Sequence, residues 1–175
     1  MGTRLFVSLA MLLAASAVPD LALARASAAV PPCSGYVVTT PAYRLALVIG
    51  PKEEMYLPSE VSARHIKKGQ VMLGGEMVML DSAPAGMRIY NLEVHICTKS
   101  GAVVTKLEPT IVVQDPKAKM KMTRVSVAQM ASVAEGIRDY HYGNDVALTP
   151  GRRVTVTVTV KGQRAVFHAT VPSGS

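Results

Sequence analysis

The chain has no tryptophan, two phenylalanines and an aromatic share of 5%, so it lacks the stacking platforms on which unpaired bases are read. Its net charge of +7 therefore does not point to nucleic acid, and no nucleic-acid partner is expected. Charged residues reach only 18%, with 49% hydrophobic, against roughly 25% charged in an ordinary globular chain. A chain of this kind buries a core and is not a solvated tail. Long apolar runs are missing as well: the longest, Leu5 to Val18, falls short of the roughly 20 residues that span a bilayer as a helix. There is no Gly-x-Ser-x-Gly elbow, no glycine-rich phosphate loop and no His-Glu-x-x-His. The four histidines and the scattered acids show no spacing of a hydrolytic dyad, so a non-enzymatic role is expected.

What is present starts with a leader. Arg4, the apolar run and the small-residue sites Leu23-Ala24 and Ala26-Ser27-Ala28 have the order of a secretory signal peptide over residues 1–28. The 175 residues otherwise suit one domain, expected over 43–172 after an N-terminal extension at 29–42. The mature chain is expected to be periplasmic or secreted. Val30-Pro31-Pro32 before Cys33 does not resemble a lipoprotein site. Cys33 and Cys97 are the two cysteines, and an even pair in an oxidising compartment reads as a disulfide. Closing that loop would stabilise the fold by about 4 kcal/mol in the chain-entropy treatment. A thiolate metal site is the rival reading, but the chain lacks the spacing of paired close ligands that zinc and blue-copper sites use.

Period-2 alternation dominates from Tyr43 onward. Val154, Val156, Val158 and Val160 share one face, and Thr155, Thr157 and Thr159 the other. Arg88 to Lys99 sets Leu92, Val94 and Ile96 against Asn91, Glu93, His95 and Cys97. Similar runs fall at 43–49, 71–80, 102–106, 109–114, 123–128, 145–148 and 163–171, separated by turn residues such as Lys99-Ser100-Gly101 and Lys161-Gly162. This pattern predicts an all-β, Ig-like antiparallel β-sandwich of seven to nine strands. One or two short helical turns are expected, one over 60–68 capped by Ser59 and one within 127–135.

Methionine is over-represented: ten against two Phe, eight of them after the leader. Met72, Met77 and Met79 crowd the 71–80 run, and Met120, Met122 and Met130 follow. Two readings stand side by side. Flexible thioethers fill irregular core gaps, and Met77 and Met79 would replace absent aromatics there. Thioethers are also soft donors that select Cu(I), whereas imidazole and carboxylate suit Cu(II), Fe or Zn; Met72 beside Glu76, and Met130, are the candidates. The second constellation is Asp139-Tyr140-His141-Tyr142-Gly143-Asn144, which reads as a tight loop holding an imidazole, either as a metal ligand or equally as a structural histidine hydrogen-bonded to a backbone carbonyl. His95, with Glu93 on its face, is a further candidate ligand, although the same face equally suits a solvated surface.

Met130 to Gly136, Asp139 to Asn144, Thr149-Pro150-Gly151 and Val154 to Val158 together resemble the periplasmic ferrous-iron-transport protein family. These are Ig-like sandwiches that bind copper and serve iron uptake through permease partners. The family hallmark is similar to Met-x-x-x-Asp-Gly-Pro-His-Tyr-Gly-Ala-Asn. The resemblance implies His141 as a metal-binding histidine, Met130 as its thioether ligand and Glu135 at the place of the family's Asp. It also implies Glu76 as the carboxylate of an early His-x-Glu whose histidine is absent here. The function so implied is an exported carrier of copper or ferrous iron, working with a membrane metal permease and forming a homodimer in one reading. The rival expectation is an adhesion or assembly module whose methionines fill the core and whose positive charge meets an acidic partner.

Overall fold

Alternating β-branched residues become strands wherever one face has something to bury against. The computed structural model describes residues 33–116 and 122–173; the expected leader at 1–28 and Met120 lie outside them. Among the described residues the strands are β1 (Tyr36–Thr39), β2 (Tyr43–Pro51), β3 (Met55–Tyr56), β4 (Gln70–Gly75), β5 (Arg88–Thr98), β6 (Thr110–Gln114), β7 (Thr123–Val125), β8 (Ala128–Ser132), β9 (Gly136–Leu148), β10 (Arg153–Val160) and β11 (Gln163–Thr170), with one helix, α1 (Pro58–Arg64). They form two sheets, a seven-stranded one in the order β1-β2-β5-β9-β8-β4-β3 and a four-stranded one in the order β11-β10-β6-β7. The all-β sandwich is as expected. The strand count exceeds seven to nine because β1, β3 and the division of 123–132 into β7 and β8 add short pieces. Every pair is antiparallel except β3 with β4. The segment read as an N-terminal extension supplies β1, which pairs with β2.

The core lies between the sheets. Val154, Val156, Val158 and Val160 of β10 face Leu45 and Leu47 of β2, Leu92, Val94 and Ile96 of β5 and Tyr140 and Tyr142 of β9 within one buried cluster. No methionine belongs to that cluster. Met77 packs against a second, smaller core cluster of Met55, Ala128 and Met130, whereas Met79 is exposed, so the expected core-filling role fails for Met79. β-Branched and aromatic side chains already fill the space between the pleated faces.

Several local expectations are corrected. The 71–80 run stops as a strand at Gly75, whose positive φ of 82° and close approach to the Val127 carbonyl leave no room for a Cβ. The 102–106 run makes only the single bridge of Val103 to Cys97. It is held instead by Tyr142, whose hydroxyl accepts from the Leu107 N–H and donates to the Val104 carbonyl, each at 3.0 Å. The helical turn expected within 127–135 is β8 followed by a turn, because β8 completes ladders with both β4 and β9. α1 starts one residue before the expected cap. Pro58 occupies its first turn, where a missing N–H costs nothing, and Glu60 reaches back to accept from the Leu57 N–H at 2.7 Å.

The largest departure concerns Asp139 to Asn144. This is no loop but the middle of β9, a thirteen-residue strand paired with β5 and β8. Both faces of β5 are buried from Tyr90 to Cys97. The outer face of the seven-stranded sheet is therefore also covered at its centre. On that face the Cys33–Cys97 disulfide packs with Ala46 and Val103.

Gly143 sits where β5 and β9 approach most closely: a Cβ there would land on the Leu92 carbonyl oxygen. Gly143→Ala should destabilise the fold by about 1–3 kcal/mol, the usual cost of overpacking, read as a lower urea midpoint with an unchanged m-value. Replacing both Cys33 and Cys97 by Ser should cost up to about 4 kcal/mol in the same measurement.

Candidate metal centre

Antiparallel register sets one row of side chains across the outer face. Ala46 pairs with His95, His141 with Met130 and Met130 with Met72. The His95 and His141 rings lie 5.3 Å apart between centroids, tilted by 58°. In a strand, residues two apart share a face, so Glu93 accompanies His95 on β5 and Asp139 accompanies His141 on β9. The result is a group of four, Glu93, His95, Asp139 and His141, each offering one ligand atom, all within 4.8 Å of one another. Metal–ligand bonds of roughly 2.0–2.2 Å put donors ~3–4.4 Å apart around one ion, so modest side-chain adjustment closes this group on a cation.

The histidines decide the chemistry. His141 is fully buried, and its Nδ1 lies 2.9 Å from the Asp139 carbonyl oxygen. A carbonyl only accepts, so Nδ1 carries the proton and Nε2 keeps its lone pair. That Nε2 is buried with no hydrogen-bond partner. An orphaned buried polar atom costs about 1–3 kcal/mol, and a backbone-tethered imidazole with a free second nitrogen is the usual condition of a metal-ligating histidine. Burial pushes the pKa of His141 down, and His95 adds to this against the opposing fields of Glu93 and Asp139. The ring is held neutral, as a ligand must be.

The carboxylates complete the set. Glu93 Oε1 accepts from Asn91 Nδ2 at 2.9 Å, which orients Oε2 to 3.4 Å from His95 Nε2. Burial raises the Glu93 carboxyl, but the hydrogen bond with His95 and the fields of both histidines outweigh it and hold it below its ordinary value. Asp139 stands 3.9 Å from His95 Nε2, with its side chain 26% exposed. Burial raises its pKa, and Glu93 and Glu135 add to that against the two histidines. Asp139 is thus the solvent-facing member of an otherwise buried group. Two imidazoles and two carboxylates suit Cu(II), Fe(II) or Zn(II).

The expected ligands divide. His141 and His95 come together in the group. Met130, fully buried, lies directly across the ladder from His141, with Met72 one strand further. Glu76 and Glu135 are exposed and stand outside the group. The backbone of Glu76 serves instead as an anchor, its carbonyl accepting from Asn144 Nδ2 at 2.7 Å. Glu93 and Asp139 were not among the expected ligands. A repeated acid-x-His pattern, Glu93-Val94-His95 and Asp139-Tyr140-His141, was the available signal. The other histidines, His65 and His168, are exposed.

Comparison with protein-family models, with curated proteins and with solved structures yields no match. The reading of this site therefore rests on its own geometry.

One further carboxylate lies on this face. Asp145, opposite Asn91, is pushed up to about 6 from an ordinary 3.8 by burial, against the opposing field of Lys52 and a backbone hydrogen bond at Leu80. The folded state then holds its proton more tightly than the unfolded state, so this group's contribution to stability falls as pH rises from about 4 to about 6. Asp145→Asn should flatten that segment of a plot of thermal midpoint against pH; an unchanged slope would count against the buried-acid assignment.

Proposed function

We propose that the protein is an exported, non-enzymatic carrier of a transition-metal ion, copper or ferrous iron, bound by Glu93, His95, Asp139 and His141. The observation that carries this reading is the His141 Nε2 lone pair, buried and unpartnered while Nδ1 is tied to a backbone carbonyl, on a residue grouped with three other potential ligands. Asn91 orients Glu93 in the same manner, so two of the four donors have outer partners that fix them. The Cys33–Cys97 disulfide suits an oxidising compartment. No helix among the described residues is long and apolar enough to cross a membrane. The half-open position of Asp139 supports capture and handover: a carboxylate at the rim exchanges between the bound ion and an incoming ligand of a membrane permease, while the histidines stay fixed.

Cu(II) and, without oxygen, Fe(II) should bind the purified mature protein at one ion per chain, measured by calorimetry and elemental analysis. His141→Gln and Glu93→Gln should each weaken binding by more than about 100-fold, since even losing an outer partner costs roughly 10- to 100-fold, with the far-ultraviolet circular dichroism unchanged. Failure of the wild-type protein to hold either ion overturns the proposal, as does full retention by both variants.

A further inference from the structure

Seven methionines fall among the described residues, and they are unevenly distributed. The large core between the sheets contains none. Four gather in a separate cluster instead: Met55 and Met130, buried with Ala128, and the partly buried Met72 and Met77 packed against them. If thioethers merely plugged irregular gaps, the main core of a chain so poor in aromatics would be their place. This smaller cluster has almost nothing but thioethers in it.

Its construction is equally specific. Met72 pairs with Met130 across β4 and β8. Met55 pairs with Gln70, two residues before Met72 and so on its face. Met77 lies beyond the end of β4 and is brought back by clamps on both sides: the Glu76 carbonyl accepts from Asn144 Nδ2, and the Val78 N–H donates to Asn144 Oδ1 at 2.9 Å. Gly75, the only residue type its surroundings admit, makes the turn that starts this return. Burial is graded, from Met130 at 0% and Met55 at 4% exposed to the half-open Met72 and Met77. Met72 and Met77 thus form the solvent side of the cluster, and Met130 the side next to His141, which faces it across the ladder.

We infer that the thioethers of Met55, Met72, Met77 and Met130 form a second metal site, selective for Cu(I), adjoining the nitrogen–oxygen centre. Uncharged, polarizable sulfur favours Cu(I) over divalent ions, whereas the imidazole–carboxylate group prefers borderline divalent ions. The two donor sets thus sort ions by softness on one sheet face. The thioether site stands on its own donors and does not require the neighbouring centre to be filled.

The test uses the mature full-length protein without oxygen, titrated with Cu(I) against a chromogenic Cu(I) chelator and separately with Zn(II). The Met72→Leu, Met77→Leu double variant keeps side-chain volume and apolarity. It should lose roughly 10-fold or more in Cu(I) affinity while its Zn(II) affinity stays unchanged. Glu93→Gln with Asp139→Asn should do the reverse. X-ray absorption of the Cu(I) form should show sulfur neighbours that diminish in the double methionine variant. Undiminished Cu(I) affinity in that variant, Cu(I) surrounded only by nitrogen and oxygen, or loss of Cu(I) together with Zn(II) in the carboxylate variant overturns the thioether site. Cu(I) binding with no Zn(II), Cu(II) or Fe(II) binding would leave this site standing and sink the nitrogen–oxygen centre.

Discussion

The pairing of β5 with β9 is the constraint on which the rest of this structure depends. Nine register positions of β5 are shared with β2 and seven with β9, so β5 has a neighbour on each side and buried surface on each face. Its inward residues, Leu92, Val94 and Ile96, enter the core with Tyr142 and Tyr140. Its outward residues, Asn91, Glu93 and His95, are buried too, and polar groups so placed must find partners or cost free energy. Some find them in one another, Asn91 with Glu93 and Glu93 with His95, while Asn91 Oδ1 and His95 Nδ1 stay buried without a hydrogen-bond partner. The glycine at 143 lets the two backbones approach, and that approach brings an acid-x-His pair from each strand into one group.

The polar group and the thioether cluster are consequences of the same register. β8 and β4 continue the row from His141 through Met130 to Met72, so hard and soft donors stand side by side on one pleated surface. Asn144 couples this surface to the rest of the sandwich, because its amide holds both the 76–78 segment and the Ser126 carbonyl. A side chain that fixes three backbone groups is a positional device. It explains why the stretch after Gly75 leaves the sheet yet keeps Met77 in place.

Much of the architecture is legible in the alternation. β2, β5, β6 and β10 fall where Leu, Ile and Val recur at every second position, and β11 where Ala165, Phe167 and Ala169 do, since that period places a continuous apolar face on a strand. β9 is harder to read: Tyr140, Tyr142, Val146 and Leu148 alternate with Asp139, His141, Gly143 and Asp145, but Asn144 interrupts the apolar face and Tyr-Gly-Asn carries the signature of a turn. Those residues are strand because β5 and β8 offer ladder hydrogen bonds on both sides, and tertiary pairing outweighs local turn preference. The 102–106 run fails in the opposite sense. It alternates well, but it meets only the end of β5, through the Cys97–Val103 bridge and hydrogen bonds to Ile96 and Thr98, before Tyr142 takes the Val104 carbonyl and the Leu107 N–H.

The amino-acid order alone determined that the chain is a β-sandwich with a disulfide between its two cysteines, and it singled out His141 and Met130 as candidate ligands. These follow from period, composition and residue type, which are local properties. Only the tertiary structure decided that His95, Glu93 and Asp139 surround His141 and that Glu76 and Glu135 do not. It also decided that the surplus methionines avoid the main core. Which residues face one another depends on strand register and order, and those are set by pairing between segments 48 to 60 residues apart along the chain, as β5 and β9 are, beyond the reach of any local pattern.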